Sequence, residues 1–331
     1  MNIPSDTAGQ FRELLGQAVR LADNGRLDEA RELCDRAIAL DGQSPIGFAI
    51  LASVLIDQDR IADAAEAARL AISRAPRDPA LLNLASGVAL RLGQAGFALD
   101  HAEACLALAP GNARAVAHAA IALAQLGRDD EAGTLLDFDR LLKIVWPPAP
   151  PGFASVEEFN AALVAALTGR PDLSTRHVAR TLVGGARLED SFALDAPLAD
   201  GLRALFADAA QVYLATLAVE PDHPMAQGKP EGGLRLSSWS NVMDGMAFEL
   251  PHMHEGTWLS GVYYPEIAPA AGDGGAIEFG GHDFGAALKP GPVRRVMPRP
   301  GMLVLFPSYF YHRTIPLAAP GRRISIAFDV K

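Results

Sequence analysis

The sequence predicts a multidomain α+β protein, in which an array of repeated helices is followed by a jelly-roll β domain with flanking helices. Three observations predict this organisation: a 34-residue period in the first part, a proline-rich break near residue 146, and alternating apolar residues from residue 234. The 331 residues suffice for about two domains. We expect helical repeats over residues 1–145, a proline-rich junction with a linking helix over 146–174, and the β domain over 175–331.

Two sets of residues carry the 34-residue period. They are the small residues Ala30, Ala64, Ala98 and Ala132, and the turn residues Gly25, Asp59, Gly93 and Gly127. A small side chain allows two helices to cross closely, and glycine or aspartate suits the turn between them. The spacing therefore predicts two antiparallel helices in each repeat.

Over about residues 11–143 these repeats resemble the tetratricopeptide repeat family. They depart from it in having alanine or leucine at several positions where the family has an aromatic residue. Stacked repeats of this kind bury a continuous core and leave a concave surface. We expect this surface either to dock a peptide or protein, or to serve as a scaffold or homodimerisation module for the domain that follows.

The composition excludes some classes of partner. A formal net charge of −10 argues against nucleic acid, because phosphate backbones bind clustered lysine and arginine. The two cysteines, Cys34 and Cys105, fit a reducing compartment, and from the first residues we expect no secretion signal. No stretch approaches the ~18 apolar residues of a membrane span. These features predict a cytoplasmic protein that binds no membrane.

The junction is marked by four prolines between Trp146 and Gly152, which cannot continue a helix. Beyond it, amphipathic patterns predict helices over 156–167 and 197–219, and residues 175–188 are expected to form a loop with a short strand. The two helices are expected to pack on the outer face of a sheet.

About eight strand-like runs follow, and glycine and proline separate nearly all of them. They span residues 234–242, 246–250, 257–264, 276–279, 293–297, 302–306, 311–315 and 322–330. Many short strands with turn signals between them are typical of a sandwich or jelly roll.

Three histidines form a candidate metal site. His252 and His254 are two residues apart, so on a strand they face the same side, and His312 begins a later strand. We expect the three histidines to bind one iron ion. This set departs from the usual one, because iron oxygenases bind the metal with two histidines and a carboxylate.

Other ligand sets remain open. In one, His254 alone is the first ligand and Gly256 leaves a coordination position free, as in halogenases. In another, a nearby carboxylate completes the site; the candidates are Glu255, Glu278 and Asp283. His282, in an expected loop, is an alternative ligand.

The last predicted strand carries a candidate anion site. Arg323 and Ser325 project from one face of it, while Ile324 and its apolar neighbours face the other way. A buried arginine is unfavourable unless it has a partner. A dicarboxylate co-substrate is a natural partner, because a guanidinium binds a carboxylate with two parallel hydrogen bonds. The alternative is an internal salt bridge to aspartate or glutamate.

Three segments resemble the 2-oxoglutarate/Fe(II) oxygenases related to prolyl hydroxylases. They are Leu259–Tyr264 after the histidine pair, Phe306–Ser308 before His312, and Arg323–Phe328. The resemblance covers about residues 175–331 and implies a double-stranded β-helix that uses Fe(II), 2-oxoglutarate and O₂. It implies iron ligation by His252, His254 and His312, and co-substrate binding by Arg323, Ser325 and Tyr264.

The resemblance implies a dioxygenase that hydroxylates a protein, peptide or small molecule, with the repeats for docking. Trp239 and Asn241, two apart on a preceding strand, are expected to line the pocket, although Trp239 equally fits core packing. Two rivals remain: a non-catalytic repeat adaptor with a cupin-like ligand-binding module, and an iron enzyme that halogenates.

Overall fold

A computed structural model describes residues 5–175, 181–230, 232–269, 272–317 and 319–331. Residues 176–180, inside the loop expected over 175–188, lie outside the described residues. The helices are α1 Ser5–Asp23, α2 Leu27–Leu40, α3 Pro45–Asp57, α4 Ile61–Arg74, α5 Pro79–Arg91, α6 Ala95–Leu108, α7 Ala113–Gln125, α8 Asp129–Leu135, α9 Phe138–Leu141, α10 Val156–Leu167, α11 Ala196–Thr216 and α12 Pro224–Gln227, with a 3₁₀ turn at Ser191–Ala193. The strands are β1 Lys143–Val145, β2 Leu182–Val183, β3 Ala186–Leu188, β4 Leu236–Asp244, β5 Phe248–Glu249, β6 Leu259–Ile267, β7 Ile277–Phe279, β8 Arg294–Val296, β9 Met302–Pro307, β10 His312–Thr314 and β11 Arg322–Val330.

The chain forms two compact units. Unit 1 comprises residues 1–110, 118–132 and 284–289, and unit 2 comprises residues 111–117, 133–283 and 290–331. Unit 1 is helical and unit 2 contains all the described strands, so the expected fold class, helical repeats followed by an antiparallel β domain, is confirmed.

The 34-residue period of unit 1 appears in its backbone. The turns that join paired helices have positive φ at each period position: Gly25 at 75°, Asp59 at 58°, Gly93 at 70° and Gly127 at 73°. Asp59 is the only described residue other than glycine with such a φ. Aspartate tolerates this left-handed backbone better than most side chains, which explains why it can replace glycine in one repeat.

The periodic alanines lie where helices pack against each other. Ala30, Ala64 and Ala98 are fully buried, and Ala132 is nearly so. Ala64 belongs to a cluster with Ala52 of α3 and Ala85 of α5. Small side chains thus form the core of the repeats, as the sequence predicts.

Unit 1 also contains the segment 284–289, which is held by repeat helices. The Phe284 ring lies edge-on to His118 of α7, with 5.4 Å between ring centroids. Gln125 of α7 hydrogen-bonds the backbone of Lys289 twice: its Nε2 donates to the carbonyl at 2.8 Å and its Oε1 accepts from the amide at 2.9 Å. The helices of unit 1 therefore bind a backbone segment that contains a turn.

Unit 2 is built on two antiparallel sheets. The larger sheet has the order β1-β9-β6-β11-β4-β3, and the smaller has the order β10-β7-β8. A bridge between His252 and His312 extends the smaller sheet on the β10 side, and β2 pairs with β5. Phe279 of β7 and Phe306 of β9 are in contact, with ring centroids 4.9 Å apart, so side chains of both sheets share one core.

Two helices cover the larger sheet, as expected. Tyr263 of β6 donates a hydrogen bond to Oδ1 of Asn160 in α10 at 2.6 Å. Phe206 of α11 stacks on Phe328 of β11 with 4.1 Å between ring centroids. Helix α10 has the predicted bounds, and α11 ends at Thr216, three residues before the prediction.

Strand β1 was not among the predicted strands. It has only three residues, too few to show an alternating pattern, and its strand conformation depends on pairing with β9.

Among the described helices, none has both the length and the apolar character needed to cross a membrane.

Candidate metal centre

The three predicted histidines lie together. One ring nitrogen from each of His252, His254 and His312 falls within 4.8 Å of the other two. Two backbone hydrogen bonds between His252 and His312, of 3.0 and 2.8 Å, connect the segment after β5 to the start of β10. The sequence predicted that this pair shares one face of a strand. In the structure His252 lies in an isolated bridge and His254 in irregular backbone, so the pair is not part of a regular strand.

The ring orientations leave one nitrogen of each histidine free for a metal. The Nδ1 atom of His252 lies 2.7 Å from the carbonyl of Leu250, and that of His312 lies 3.0 Å from the carbonyl of Phe310. The Nδ1 atom of His254 lies 2.6 Å from Oδ1 of Asp329. An acceptor at Nδ1 keeps the proton there, so that Nε2 carries the lone pair that a metal needs.

Burial favours the neutral form of two of these rings. Burial, reinforced by the neighbouring histidines and by Arg323, holds the pKa of His312 well below its ordinary value. Burial is also the main cause of the lowered pKa of His252. Since a metal binds the neutral ring, both histidines are in the state required for ligation.

The carboxylates considered from the sequence do not join this cluster. Glu255 forms an ion pair with Arg114. Glu278 is buried on β7, where Arg295 and Arg313 bind its two oxygens. Among the described residues, the one group with metal-ligand geometry consists of the three histidines, so His282 and Asp283 lie outside it.

Arg323 lies in the same core without an anionic partner. Its side chain is buried on β11, and its Nη2 donates to the Tyr264 hydroxyl at 3.2 Å. Its Nε and Nη1 have no hydrogen-bond partner, and no described carboxylate forms an ion pair with it. The internal salt bridge considered from the sequence is therefore not formed with any described residue.

Tyr264 and Ser325 accompany this arginine. Both are buried, and burial raises the pKa of Tyr264, so the phenol keeps its proton. The register between β11 and β6 shifts between Ile324 and Ile326, opposite Tyr264 and Pro265. Proline has no amide hydrogen for the ladder, which explains the bulge at this point. Adjacent Tyr263 faces α10, so of the two tyrosines Tyr264 is the one directed to Arg323.

Trp239 and Asn241 occupy different environments. The Trp239 ring lies 5.3 Å from that of His254 and lines a cavity of about 360 Å³ that also borders His252. Asn241 is buried and does not line this cavity; it accepts from Nε of Arg187 at 2.8 Å and donates to Glu249 at 3.2 Å. Trp239 thus borders the cavity, whereas Asn241 orients the Arg187–Glu249 ion pair.

Sequence reasoning missed Asp329, Ser260 and Arg187. Asp329 continues the alternation of Arg323 and Ser325 on β11, so the strand pattern could have revealed it. Ser260 is an ordinary residue in an apolar strand, and Arg187 follows a glycine pair without any repeated pattern. These two become visible only through their contacts.

The residues present fit an iron ion and a dicarboxylate. Three imidazoles with converging free nitrogens suit a divalent transition metal. A buried guanidinium with unpaired donors at Nε and Nη1 is unfavourable alone, and a carboxylate bound to one face of it would provide the missing anionic partner.

Comparisons with known proteins give a family match for the C-terminal part. Residues 237–329 match the family model described as "Putative 2OG-Fe(II) oxygenase". A prolyl-4-hydroxylase from Pseudomonas putida shares 18% identity over 59% of this chain and 95% of its own, with a TM-score of 0.39. No curated protein sequence matches the chain.

The helical part is similar to repeat proteins of known structure. YrrB, a tetratricopeptide repeat protein with an unusual peptide-binding site, shares 20% identity over 38% of this chain, with a TM-score of 0.35; the match spans 64% of YrrB. The first repeat domain of Spaghetti (RPAP3), bound to an HSP90 peptide, shares 18% identity over 36% of this chain and 94% of its own, with a TM-score of 0.34. The C-terminal part of the chain thus resembles the 2-oxoglutarate/Fe(II) oxygenases, and the N-terminal part resembles tetratricopeptide repeat proteins.

Proposed function

We propose that the chain is a non-haem Fe(II)- and 2-oxoglutarate-dependent dioxygenase that hydroxylates a protein, peptide or small molecule. The observation that carries this proposal is the buried Arg323, whose two unpaired donors lie in the core that also holds the three histidines. The charge of Arg323 also contributes to the lowered pKa of the buried His312, which supports a common site for the arginine and the histidines. An adaptor would have no need for an unpaired buried cation beside a metal site.

Each group has a defined task in this proposal. His252, His254 and His312 would hold Fe(II) through Nε2. Arg323 would bind the distal carboxylate of 2-oxoglutarate through Nη1 and Nη2, and the Tyr264 hydroxyl, which already accepts from Nη2, would donate its proton to the same carboxylate. Ser325, buried on the same strand face, would add a further donor.

Bound iron would supply the oxygen chemistry: O₂ and 2-oxoglutarate are converted to succinate and CO₂ while one oxygen atom enters a C–H bond of the substrate. The protein orients the co-substrate and excludes water. Trp239, beside His254, borders the cavity of about 360 Å³ through which the substrate would reach the metal.

The test combines metal binding with turnover. We expect the protein to bind one Fe(II) under anaerobic conditions, to bind 2-oxoglutarate in addition, and to release succinate in air. His252→Ala and His312→Ala should each lose iron. His101→Ala is the matched control, because His101 is a partly buried histidine of α6 outside the cluster.

Two results would contradict the proposal. Full iron content in His312→Ala would end the iron-site assignment. Iron and 2-oxoglutarate binding without any succinate release, even with a mixed peptide library as substrate, would favour the ligand-binding adaptor, whose support is the absence of a carboxylate from the histidine cluster.

We also propose that the repeats dock a peptide or protein. Support comes from the segment 284–289, whose backbone is bound by Gln125 of α7. A cavity of about 460 Å³ beside α1 and α2, lined partly by Gln17 and Arg36, offers space for a further segment. Arg36→Glu should then reduce the stimulation of succinate release by the peptide library and leave unstimulated release unchanged; equal stimulation would reject docking at this cavity.

A further inference from the structure

His254 differs from the other two histidines in what its Nδ1 atom contacts. His252 and His312 each face a neutral backbone carbonyl two residues earlier in the chain. His254 instead faces the carboxylate of Asp329, at 2.6 Å, from a strand 75 residues away. A carboxylate acceptor makes an imidazole a stronger electron donor than a carbonyl does, because it stabilises positive charge on the ring.

The Asp329 carboxylate is held in position by a buried hydroxyl pair. Ser260 of β6 donates to the same Oδ1 atom at 2.6 Å, and its oxygen lies 2.8 Å from that of Ser308 and 2.9 Å from Nδ1 of His254. Both serines are fully buried, and Asp329 is 8% exposed. A buried carboxylate without a cationic partner is unfavourable. No lysine or arginine among the described residues lies within ion-pair distance of Asp329; the one side chain there at that distance is the imidazole of His254.

A metal cation bound at Nε2 of His254 would offset the unfavourable burial of the Asp329 carboxylate. Three neutral imidazoles around Fe(II) leave a net charge of +2, whereas two imidazoles and a carboxylate leave +1. Asp329 would return the three-histidine centre to +1 with the negative charge placed one ring further from the metal.

We propose that Asp329 is a positioning residue that acts through His254 and supplies the negative charge which a directly bound carboxylate supplies in two-histidine, one-carboxylate iron sites. This inference rests on the proposed function, since it requires a metal at the histidine cluster. Asp329 is not itself a ligand in this arrangement. The two ring nitrogens of an imidazole point to different sides, so an oxygen bound at Nδ1 of His254 lies away from a metal bound at Nε2.

The test measures metal binding and redox properties rather than turnover. Asp329→Asn keeps the size and one acceptor oxygen but removes the charge. It should lower the affinity of the full-length protein for Co(II) and Fe(II) by about 10- to 100-fold. It should also shift the Fe(III)/Fe(II) reduction potential to more positive values, because the oxidised ion loses more stabilisation than the reduced one. The Co(II) absorption spectrum should keep the form of the three-histidine ligand set.

Two variants serve as controls. Glu278→Gln makes the same carboxylate-to-amide change at a buried strand position, but Glu278 contacts Arg295 and Arg313 and not the histidines. It should leave metal affinity and potential unchanged. Ser260→Ala removes a donor from Asp329 and keeps the charge, so it should not weaken metal binding as Asp329→Asn does.

The outcomes separate this inference from the proposed function. If the wild-type protein binds neither Co(II) nor Fe(II), the iron assignment itself fails. If it binds metal and Asp329→Asn has the same affinity and potential, the role of Asp329 is refuted while the iron site stands. Loss of a ligand from the Co(II) spectrum of Asp329→Asn would make Asp329 a direct ligand, which also overturns the inference.

A measurement without any variant covers the case in which Asp329→Asn does not fold. In the wild-type protein loaded with Zn(II), nitrogen-15 NMR of the histidine rings reports which nitrogen carries the proton. We expect zinc at Nε2 of His254 and a proton at Nδ1 in a stronger hydrogen bond than in His252 or His312. Zinc at Nδ1 of His254 would overturn the inference.

Discussion

Substituting Arg323 should change 2-oxoglutarate affinity and the free energy of unfolding in different ways, so one variant tests both. We consider Arg323→Met, which removes the charge and keeps much of the side-chain volume. In the native chain, Nε and Nη1 of this buried arginine have no hydrogen-bond partner. The remaining nitrogen, Nη2, donates to the neutral Tyr264 hydroxyl. The substitution therefore removes donors that await an anion, and it breaks no described ion pair.

The expected effect on the co-substrate is large. Two hydrogen bonds to a charged group contribute about 1.5–3 kcal/mol each. Their loss corresponds to about 3–6 kcal/mol, or a decrease of about 10²- to 10⁴-fold in 2-oxoglutarate affinity. Arg323→Lys should recover only part of this, because an ammonium cannot form two parallel bonds with one carboxylate.

The expected effect on stability is small or favourable. Breaking a buried ion pair costs about 3–5 kcal/mol, but an unpaired buried cation has no such pair to lose. The free energy of unfolding of the metal-free protein should therefore be unchanged or higher in Arg323→Met. Iron content should stay near that of the wild type.

The assay titrates 2-oxoglutarate into the iron-loaded protein without oxygen and measures urea unfolding of the metal-free protein. Arg322→Met is the matched control: its side chain is 35% exposed and pairs with Glu266, so 2-oxoglutarate affinity should not change. Unchanged 2-oxoglutarate affinity in Arg323→Met would refute the role of this arginine as the anion anchor. A loss of about 3–5 kcal/mol of stability would instead indicate an internal ion pair.

Three further predictions concern the repeats. Ala98→Leu should lower the free energy of unfolding by about 1–3 kcal/mol in urea titrations, because Ala98 is fully buried; no change would show that it is not at a helix crossing. Gly25→Ala should cost about 1–2 kcal/mol through its φ of 75° alone, since a Cβ there would meet nothing within 4 Å; equal stability of Gly25→Ala and wild type would contradict the left-handed turn. Burial raises the pKa of Cys34 to about 11. Its thiol should therefore react with Ellman's reagent only on unfolding, and rapid native-state labelling would show that Cys34 is accessible. The stability that the buried thiol contributes should be complete below about pH 9 and decline between pH 9 and 11.

The repeat array was predictable because its signals are local and recur. Each turn needs a residue that tolerates positive φ, and each helix crossing needs a small side chain, so the same spacing returns every 34 residues. The strands of unit 2 were predictable from alternation and from the glycines and prolines between them. Strand β1 was not, because three residues take strand conformation only through pairing with β9.

The candidate site was only partly predictable. Spacing indicated that Arg323 and Ser325 share one face and that His252 and His254 share another, and it predicted an iron site from these two histidines with His312. The resemblance assigned the co-substrate role to Tyr264, and in the structure Tyr263 contacts Asn160 whereas Tyr264 contacts Arg323. The sequence left the source of the missing carboxylate open.

The sequence by itself determined the element types, the repeat period and the residues capable of metal and anion chemistry, because these depend on spacing along one segment. Tertiary structure decided which of those residues meet. His254 and Asp329 are 75 residues apart in the chain and 2.6 Å apart in space, a contact that arises because β11 lies beside β6 in the larger sheet. The alternation along β11 places Asp329 on the same face as Arg323, but pairing between distant strands is set by the packing of the whole domain, so no local pattern shows that this carboxylate contacts Nδ1 of His254.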